Sequence, residues 1–393
     1  MIYILLQILL ISFTFSSTSN SDTTSILIPE IEIYGGINES STSTNISIIK
    51  NNQFVTNGQK NFEDLIQSIS NLHYAGGTSR ARYFQLRGLG ELSQFSGEGA
   101  PHFYVGCIID NIDFSGIGMI GILDDMKQIE IFKGPQSSSY GPNAMAGVIN
   151  FISNDPSEDK NLNINGSIYS NNSYSYAASS SLKLTNKVLS RFTLSQNYTD
   201  GFINNISNKN QSDTNSKDES LFRMKFLYTP NKYSSILFTA YFVNLNNKYD
   251  IWTPDNNGFI TFSDFQGLDK QNSKALSIKS DYKLNNSILE LITTYSYNTI
   301  LYSYDGDWGN LNYWEEEYDY YENSPTYFDD EACNDTYQGY LMCPDNYYPY
   351  AFTDVTNRIR KSYSQEFRVK YDLRGNAILT SGLYYSQIKE HDK

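Results

Sequence analysis

Sulfur and imidazole are scarce in this chain. Three cysteines, Cys107, Cys333 and Cys343, and three histidines, His73, His102 and His391, are spread over 393 residues. No CxxC spacing and no histidine cluster occurs, so neither a zinc site nor a His-based catalytic triad is expected, and no metal or cofactor is assigned. Charge is also sparse, at 18% of residues. Mean hydropathy is −0.46, and no internal apolar run reaches the roughly 18 residues of a membrane-spanning helix, which excludes such helices. Basic residues are outnumbered, 29 Lys and Arg against 43 Asp and Glu, for a net charge of −14. That excludes nucleic acid as a partner, because its affinity comes from Lys and Arg neutralising phosphates. Aromatics are plentiful instead, with 33 Tyr and 22 Phe. Polar, aromatic strands without helical spans suit a secreted β-protein or an outer-membrane barrel.

The N-terminal stretch Met1–Phe15, MIYILLQILLISFTF, is apolar, short, and followed by Ser16, Ser17 and Thr18. It reads as the core of a signal peptide over 1–20, although no Lys or Arg precedes it. A Ser/Thr/Asn-rich tract follows over 21–59 and is expected to be flexible. Inside it Ile28-Pro29-Glu30-Ile31-Glu32-Ile33-Tyr34 alternates as an extended segment would. With no local partner, such a strand needs an edge to pair with.

Residues 60–155 read as a small α+β domain. Phe62, Leu65, Ile66 and Ile69 share one helical face. Tyr83–Leu86, Tyr104–Ile109, Ile129–Phe132 and Val148–Ile152 read as short strands between Gly-rich turns. Over 156–393 the texture changes to long alternating strands. Phe222, Met224, Phe226 and Tyr228 oppose Arg223 and Lys225. Leu276, Ile278, Tyr282 and Leu284 oppose Ser277, Lys279, Asp281 and Lys283, and Phe367, Val369 and Tyr371 oppose Glu366, Arg368 and Lys370. Nine strands are expected, at 162–170, 174–184, 188–199, 221–228, 234–244, 275–284, 288–298, 362–371 and 377–386. Short turns at Thr185–Lys187, Thr229–Tyr233, Asn285–Ser287 and Asp372–Asn376 alternate with long loops at Asp200–Ser220, Leu245–Lys274 and Thr299–Lys361. A soluble sandwich has no reason to sort its loops this way, whereas a bacterial barrel does.

The stretch Ile129–Ile152, IEIFKGPQSSSYGPNAMAGVINFI, carries Gly134, Gly141 and Gly147 beside Pro135 and Pro142. A phosphate cradle would need its Lys after the glycines, at the mouth of a helix. Here Lys133 precedes them and a strand follows. Glycine and proline permit sharp reversals and close backbone packing instead. Ile129-Glu130-Ile131-Phe132-Lys133-Gly134-Pro135, then Tyr140-Gly141, then Ala144-Met145-Ala146-Gly147-Val148-Ile149-Asn150 resemble the plug signature of TonB-dependent outer-membrane receptors. Leu86-Arg87-Gly88-Leu89-Gly90 resembles their RG motif, Ile109-Asp110-Asn111-Ile112 their strand–Asp-Gly turn, and Ile28–Tyr34 their TonB box. Asn111 stands where the family has Gly, a tolerable change because Asn accepts left-handed geometry. Lys127 and Gln128 replace the acidic–basic pair usual before Ile129.

The resemblance implies an α+β plug domain followed by antiparallel transmembrane β-barrel strands. The barrel is incomplete, since such transporters close with about 22 strands, so the chain is expected to be a fragment or a truncated product. The implied function is energy-coupled uptake of a scarce nutrient across the cell outer membrane, with an iron–siderophore-type chelate favoured. The implied partners are TonB with its inner-membrane energising complex, outer-membrane lipid, and a small ligand such as a metal chelate or sugar. Arg87 and Glu130 match positions that join ionic contacts between plug and barrel wall.

In Thr299–Lys361, Asp305, Asp307, Trp308 and Trp314 are candidate ligand residues. Acidic and aromatic side chains there suit a cation or sugar, and Arg223 and Arg368 could supply basic groups to an anionic ligand. Cys333 and Cys343 could form a disulfide within that loop. Glu315–Glu317 and the Asp305/Asp307 pair lack a positioned partner that would raise one pKa, so no catalytic residue is assigned. An outer-membrane binding or adhesion protein that keeps the plug fold, and a secreted β-rich hydrolase, are the competing readings.

Overall fold

The computed structural model describes residues 45–50, 61–66, 69–75, 78–90, 103–118, 123–207, 214–249, 259–310, 313, 336–337, 340–341, 353–373 and 378–393. All of them fall in one compact unit, Thr42–Lys393. The first strand, β1 (Ile46–Lys50), pairs antiparallel with β7 (Met126–Lys133), Ile46 opposite Phe132. This corrects the expectation of a flexible tract through residue 59: Ile46, Ile48 and Ile49 gain an edge to bury against. The one-turn helix α1 (Glu63–Ile66) is shorter than its apolar face suggested, yet Phe62, Leu65, Ile66 and Ile69 are all buried.

Next come β2 (Leu72–Ala75), β3 (Tyr83–Leu86) and β4 (Leu89–Gly90), which form a three-stranded sheet. The larger plug sheet adds β5 (Val105–Ile109), β6 (Ile112–Asp113) and β8 (Gly147–Ser153), in the order β1-β7-β8-β5-β6. Its central pair β5–β8 is parallel, and every residue of β5 is buried. Between β7 and β8 lies the short helix α2 (Ser137–Tyr140).

The wall is a single antiparallel meander. Its strands are β9 (Asn161–Tyr169), β10 (Ser173–Thr185), β11 (Val188–Thr199), β13 (Lys217–Asn231), β14 (Ser234–Lys248), β16 (Leu268–Lys283), β17 (Ser287–Asp305), β20 (Thr353–Asp372) and β21 (Ile378–Asp392). Two short pairs sit in the long connections: β12 (Asn204–Asn205) with β15 (Ile260–Thr261), and β18 (Thr336–Tyr337) with β19 (Tyr340–Leu341). The nine wall strands are those expected from alternation: β11 has the expected bounds, β9 is shifted by one residue, and the other seven run longer, β20 reaching 20 residues. β9 and β21 are the two ends of the sheet, so the barrel it belongs to is incomplete.

Alternation decides which face meets the plug. On β13 Glu219, Leu221, Arg223 and Lys225 are buried, while the residues between them lie on the other face. Leu221, Tyr241, Val243, Leu245, Ala275, Ile300 and Tyr302 of the wall join the plug's apolar core. The outward face carries aromatic contacts instead: Phe222 stacks on Phe242 at 6.0 Å, and Phe226 lies 5.7 Å from Phe192 and 6.2 Å from Phe238. Outward positions from Ser220 to Pro230 carry no charge, close to the roughly 9–11 residues that a tilted strand needs to cross a bilayer. Polar residues inside and apolar residues outside are the inverse of a soluble β-protein and the arrangement of a transmembrane wall.

Candidate functional site

Burial at the plug–wall boundary would be costly for any unpaired charge, and the charges there are paired across it. The turn residue Asp125, with φ at 61°, precedes β7 and holds its carboxylate against the wall. Arg191 donates to it from Nε at 2.8 Å and again from Nη2, Thr193 donates at 2.6 Å, and Arg223 lies 3.5 Å away. Arg223 also donates to the carbonyls of Asp124 and Asp125, both at 3.0 Å. Asp110 accepts from Ser153 N at 3.0 Å and from the Tyr241 hydroxyl, with Lys225 Nζ at 3.4 Å. Burial alone would raise the pKa of both carboxyls. For Asp110 the charges of Lys225 and Arg223 win, and for Asp125 the Arg191 bond and Arg223 charge win, so both titrate below the ordinary range.

The opposite polarity occurs nearer the long loops. Arg80 of the plug forks onto Glu219 of the wall at 2.6 and 2.7 Å, and Asn247 donates to the same carboxylate at 2.8 Å. Arg82, only 2% exposed, pairs with Asp269, which also accepts from Ser79 N at 2.7 Å. On β20 the wall cation Arg360, paired with Glu390 of β21, meets no plug anion and instead donates to the Ser115 carbonyl at 2.6 Å and stands 5.4 Å from the Phe103 ring centre. Cationic plug residues thus meet anionic wall residues near one end, and anionic plug residues meet cationic wall residues near the other.

Arg87 and Glu130 are placed elsewhere. Arg87 sits exposed at the β3–β4 turn with φ at 55° and, among the described residues, makes no ion pair. Glu130 is fully buried within the plug sheet, where it accepts from Asn150 Nδ2 at 3.0 Å and from Gln128 Nε2. Burial pushes its carboxyl upward. Arg80, Arg82 and Asp125 carry the contact instead. A signal for the arginines was present: Arg80 and Arg82 are two apart, hence on one face of an extended segment leading into β3. Arg223 and Arg368, named as basic groups for a ligand, are also committed. Arg223 is spent on the plug as above, and Arg368 bonds Glu366 and donates to the Ser139 carbonyl at 2.9 Å.

The remaining plug motif residues explain the reversal that Ile129–Ile152 makes. Asp110 and Asn111 both have positive φ, 43° and 72°, and form the two-residue turn between β5 and β6. Gly88 follows Arg87 with φ at 78°. Lys133 is buried and donates to Ser70 Oγ at 3.0 Å. Beyond Gly134 and Pro135, Gln136 N bonds the Ala144 carbonyl at 2.8 Å, which closes the loop, and Tyr140 lies 5.4 Å from the Phe132 ring. Gly141 ends α2 with φ at 87°. A Cβ on Gly147 would stand 2.2 Å from the Phe132 carbonyl oxygen, so only glycine lets β8 approach β7 there.

On the long-loop side, Asp264, Asp305 and Asp307 bring one carboxylate oxygen each within 4.8 Å. Burial, then the hydrogen bond and charge of Asp307 with that of Asp264, push the Asp305 carboxyl up to about 6. Ser263 Oγ at 2.6 Å and Asp264 N at 3.0 Å both donate to Asp305 Oδ2. These bonds tie the 259–267 segment to the end of β17. Trp308 is 40% exposed beside them. Trp314, Cys333, Cys343 and Ile28–Tyr34 lie outside the described residues.

Residues 38–148 match the family described as TonB-dependent Receptor Plug Domain. In fold, the chain is similar to the ferric yersiniabactin uptake receptor FyuA from Yersinia pestis, with a TM-score of 0.69 at 16% identity, over 90% of this chain and 50% of that one. It is also similar to the siderophore receptor PiuA from Acinetobacter baumannii, with a TM-score of 0.63 at 13% identity over 89% and 46%. The open form of the ferric-catecholate import receptor Fiu from E. coli K12 gives 0.61 at 13% over 89% and 50%. The chain spans about half the length of the structures it matches. Residues 38–148 thus match a TonB-dependent receptor plug domain, and the chain as a whole shares its fold with the corresponding half of such receptors.

Proposed function

We propose that the chain is the plug and part of the wall of an outer-membrane receptor for TonB-driven uptake of a scarce nutrient, an iron chelate being the first candidate. One observation carries the reading: the plug is held to the wall by buried, hydrogen-bonded ion pairs of both polarities. Such pairs contribute little net stability, because desolvation offsets most of their attraction, yet they fix position and cost a great deal to break singly. A plug seated this way is well located at rest and can be displaced as a unit when pulled. The segment that would be pulled is Ile28–Tyr34, whose alternation suits strand addition to a TonB edge. The ferric yersiniabactin, siderophore and ferric-catecholate receptors that share the fold support an iron chelate as cargo.

The test is a cysteine at Ile31. Ile31→Cys is expected to crosslink to periplasmic TonB, more strongly when ferric chelate is supplied, and the chelate is expected to support growth under iron limitation. Chelate binding without a ligand-dependent crosslink would leave a binding or adhesion protein, and the uptake reading would fall.

A further inference from the structure

The outward face of the wall has a hollow that the uptake reading does not use. Across the four strands β11, β13, β14 and β16, one row of register partners reads Leu194, Phe222, Phe242 and Lys274. The row two residues nearer the long loops includes Ser220 and Asn244, again as partners. The step from large aromatic to small polar side chains leaves an open trough of about 360 Å³, lined on its outermost strands by Tyr176 and Lys274. That volume lies within the roughly 300–1,000 Å³ typical of small-molecule sites. Past Lys274 the first row continues through Tyr297 to Lys361 and Lys389. All three lysines are exposed, and Lys361 Nζ stands 5.5 Å from the Tyr297 ring centre.

We propose that this trough binds a phosphate-bearing lipid of the surrounding leaflet, its acyl chain along Phe222 and Phe242 and its phosphate at Lys274. The occupant follows from where the trough sits and what lines it. It straddles the line at which the outward surface passes from the uncharged aromatic band to lysine and amide side chains, which is the depth of lipid headgroups. A long cationic side chain at that depth reaches the interface while its stem lies on apolar surface. Lys361 and Lys389 extend the positive row, so an anionic head is favoured over a neutral one. The Tyr297 ring between Lys274 and Lys361 holds the second ammonium beside the row. The site rests on the outer-membrane reading of the wall.

The experiment is native mass spectrometry of the full chain released from detergent, with phosphatidylglycerol or diacylglycerol of the same acyl chains added. Phosphatidylglycerol adducts are expected to survive release and diacylglycerol adducts to be lost. Lys274→Ala is expected to weaken phosphatidylglycerol retention about fivefold, whereas Lys232→Ala, at an exposed turn on the opposite rim, is expected to leave it unchanged. Asn244→Trp, which fills the trough and keeps the lysine, is expected to weaken retention as much as Lys274→Ala. Displacement by inorganic phosphate alone, equal retention of diacylglycerol, or wild-type retention by either trough variant would overturn the proposal. Failure of the wild-type chain to enter membranes would sink the outer-membrane reading with it. A chain that integrates normally but shows unselective lipid retention sinks this site alone.

Discussion

Asp125→Asn removes one negative charge from between two buried guanidiniums and changes almost nothing in shape. Asp125, Arg191 and Arg223 have side-chain exposures of 4%, 5% and 2%, so water does not replace what is lost. Breaking a buried pair from one side costs about 3–5 kcal/mol. Both arginines keep other partners: Arg223 the two carbonyls at 3.0 Å, Arg191 Ser181 Oγ at 2.8 Å and Asn161 Oδ1 at 3.3 Å. The lower end of that range therefore applies, about 3 kcal/mol, or roughly a hundredfold in the equilibrium for unseating the plug. Native-state hydrogen exchange of the β7 and β8 amides reads that equilibrium directly.

The control is Lys183→Ala, which breaks a pair with Glu158 whose side chains are 35% and 71% exposed. Surface pairs of that kind contribute at most about 1 kcal/mol. A pH series adds a second readout. Asp125's carboxyl lies below its ordinary value, so its stabilisation is present above the unfolded pKa of about 3.9 and is lost as pH falls through the folded value. Wild-type plug exchange should accelerate on acidification, and the Asn variant should lack that contribution. If Asp125→Asn and Lys183→Ala shift exchange equally, the ionic account of plug seating is wrong.

Gly147→Ala should destabilise the plug by several kcal/mol, because the new Cβ meets the Phe132 carbonyl at 2.2 Å and Leu86 Cδ1 at 2.5 Å. Gly88→Ala meets nothing within 4 Å and should cost only the roughly 1–2 kcal/mol of left-handed backbone strain; equal losses in denaturant midpoint would contradict this ordering. Phe226→Arg on the outward face should cost about 2–4 kcal/mol when folding into lipid vesicles is measured, and a negligible cost would mean that this face does not meet hydrocarbon. Asp305's carboxyl is raised to about 6, so its contribution to the 259–267 segment is full below about pH 4 and is lost as pH rises through about 6. Asp305→Asn should flatten that dependence in the exchange of the Asp264 and Asp307 amides, and protection that rises across the window would refute the sign.

The wall was legible because its signal is repeated. The alternation recurs from strand to strand, and on β13 a slip of one residue would turn Arg223 and Lys225 into lipid and Phe222 and Phe226 onto the plug. No other register satisfies β13, and the same constraint recurs on β16 and β20. The turn glycines were legible for a different reason. Gly147 is required by contact with Phe132, in the adjacent strand of the same signature, and short-range geometry leaves its mark in short-range sequence. β1 was missed because Ile46–Lys50 has no pattern of its own beyond three isoleucines in a polar tract. Its partner lies some eighty residues away, in β7.

Pairing across the boundary was not legible, and the reason bears on function. Arg80 and Glu219 are separated by 139 positions, Arg82 and Asp269 by 187. The spacing of Arg80 and Arg82 puts them on one face, but nothing local in the sequence says that this face meets the wall while Arg87 sits on the exposed side of a tight turn. What the sequence does show is a violation: Glu219, Arg223 and Lys225 occupy the face of β13 that also carries Leu221 into the apolar core. A fold selected for stability alone would fill those positions with apolar side chains of similar size, at little cost or some gain. Charges kept there, each matched to an opposite charge on the plug, specify a seat rather than strengthen a core. Charged residues on the plug-facing side of the wall are therefore the place to look for plug partners, and their opposite signs at the two ends fix which way up the plug sits.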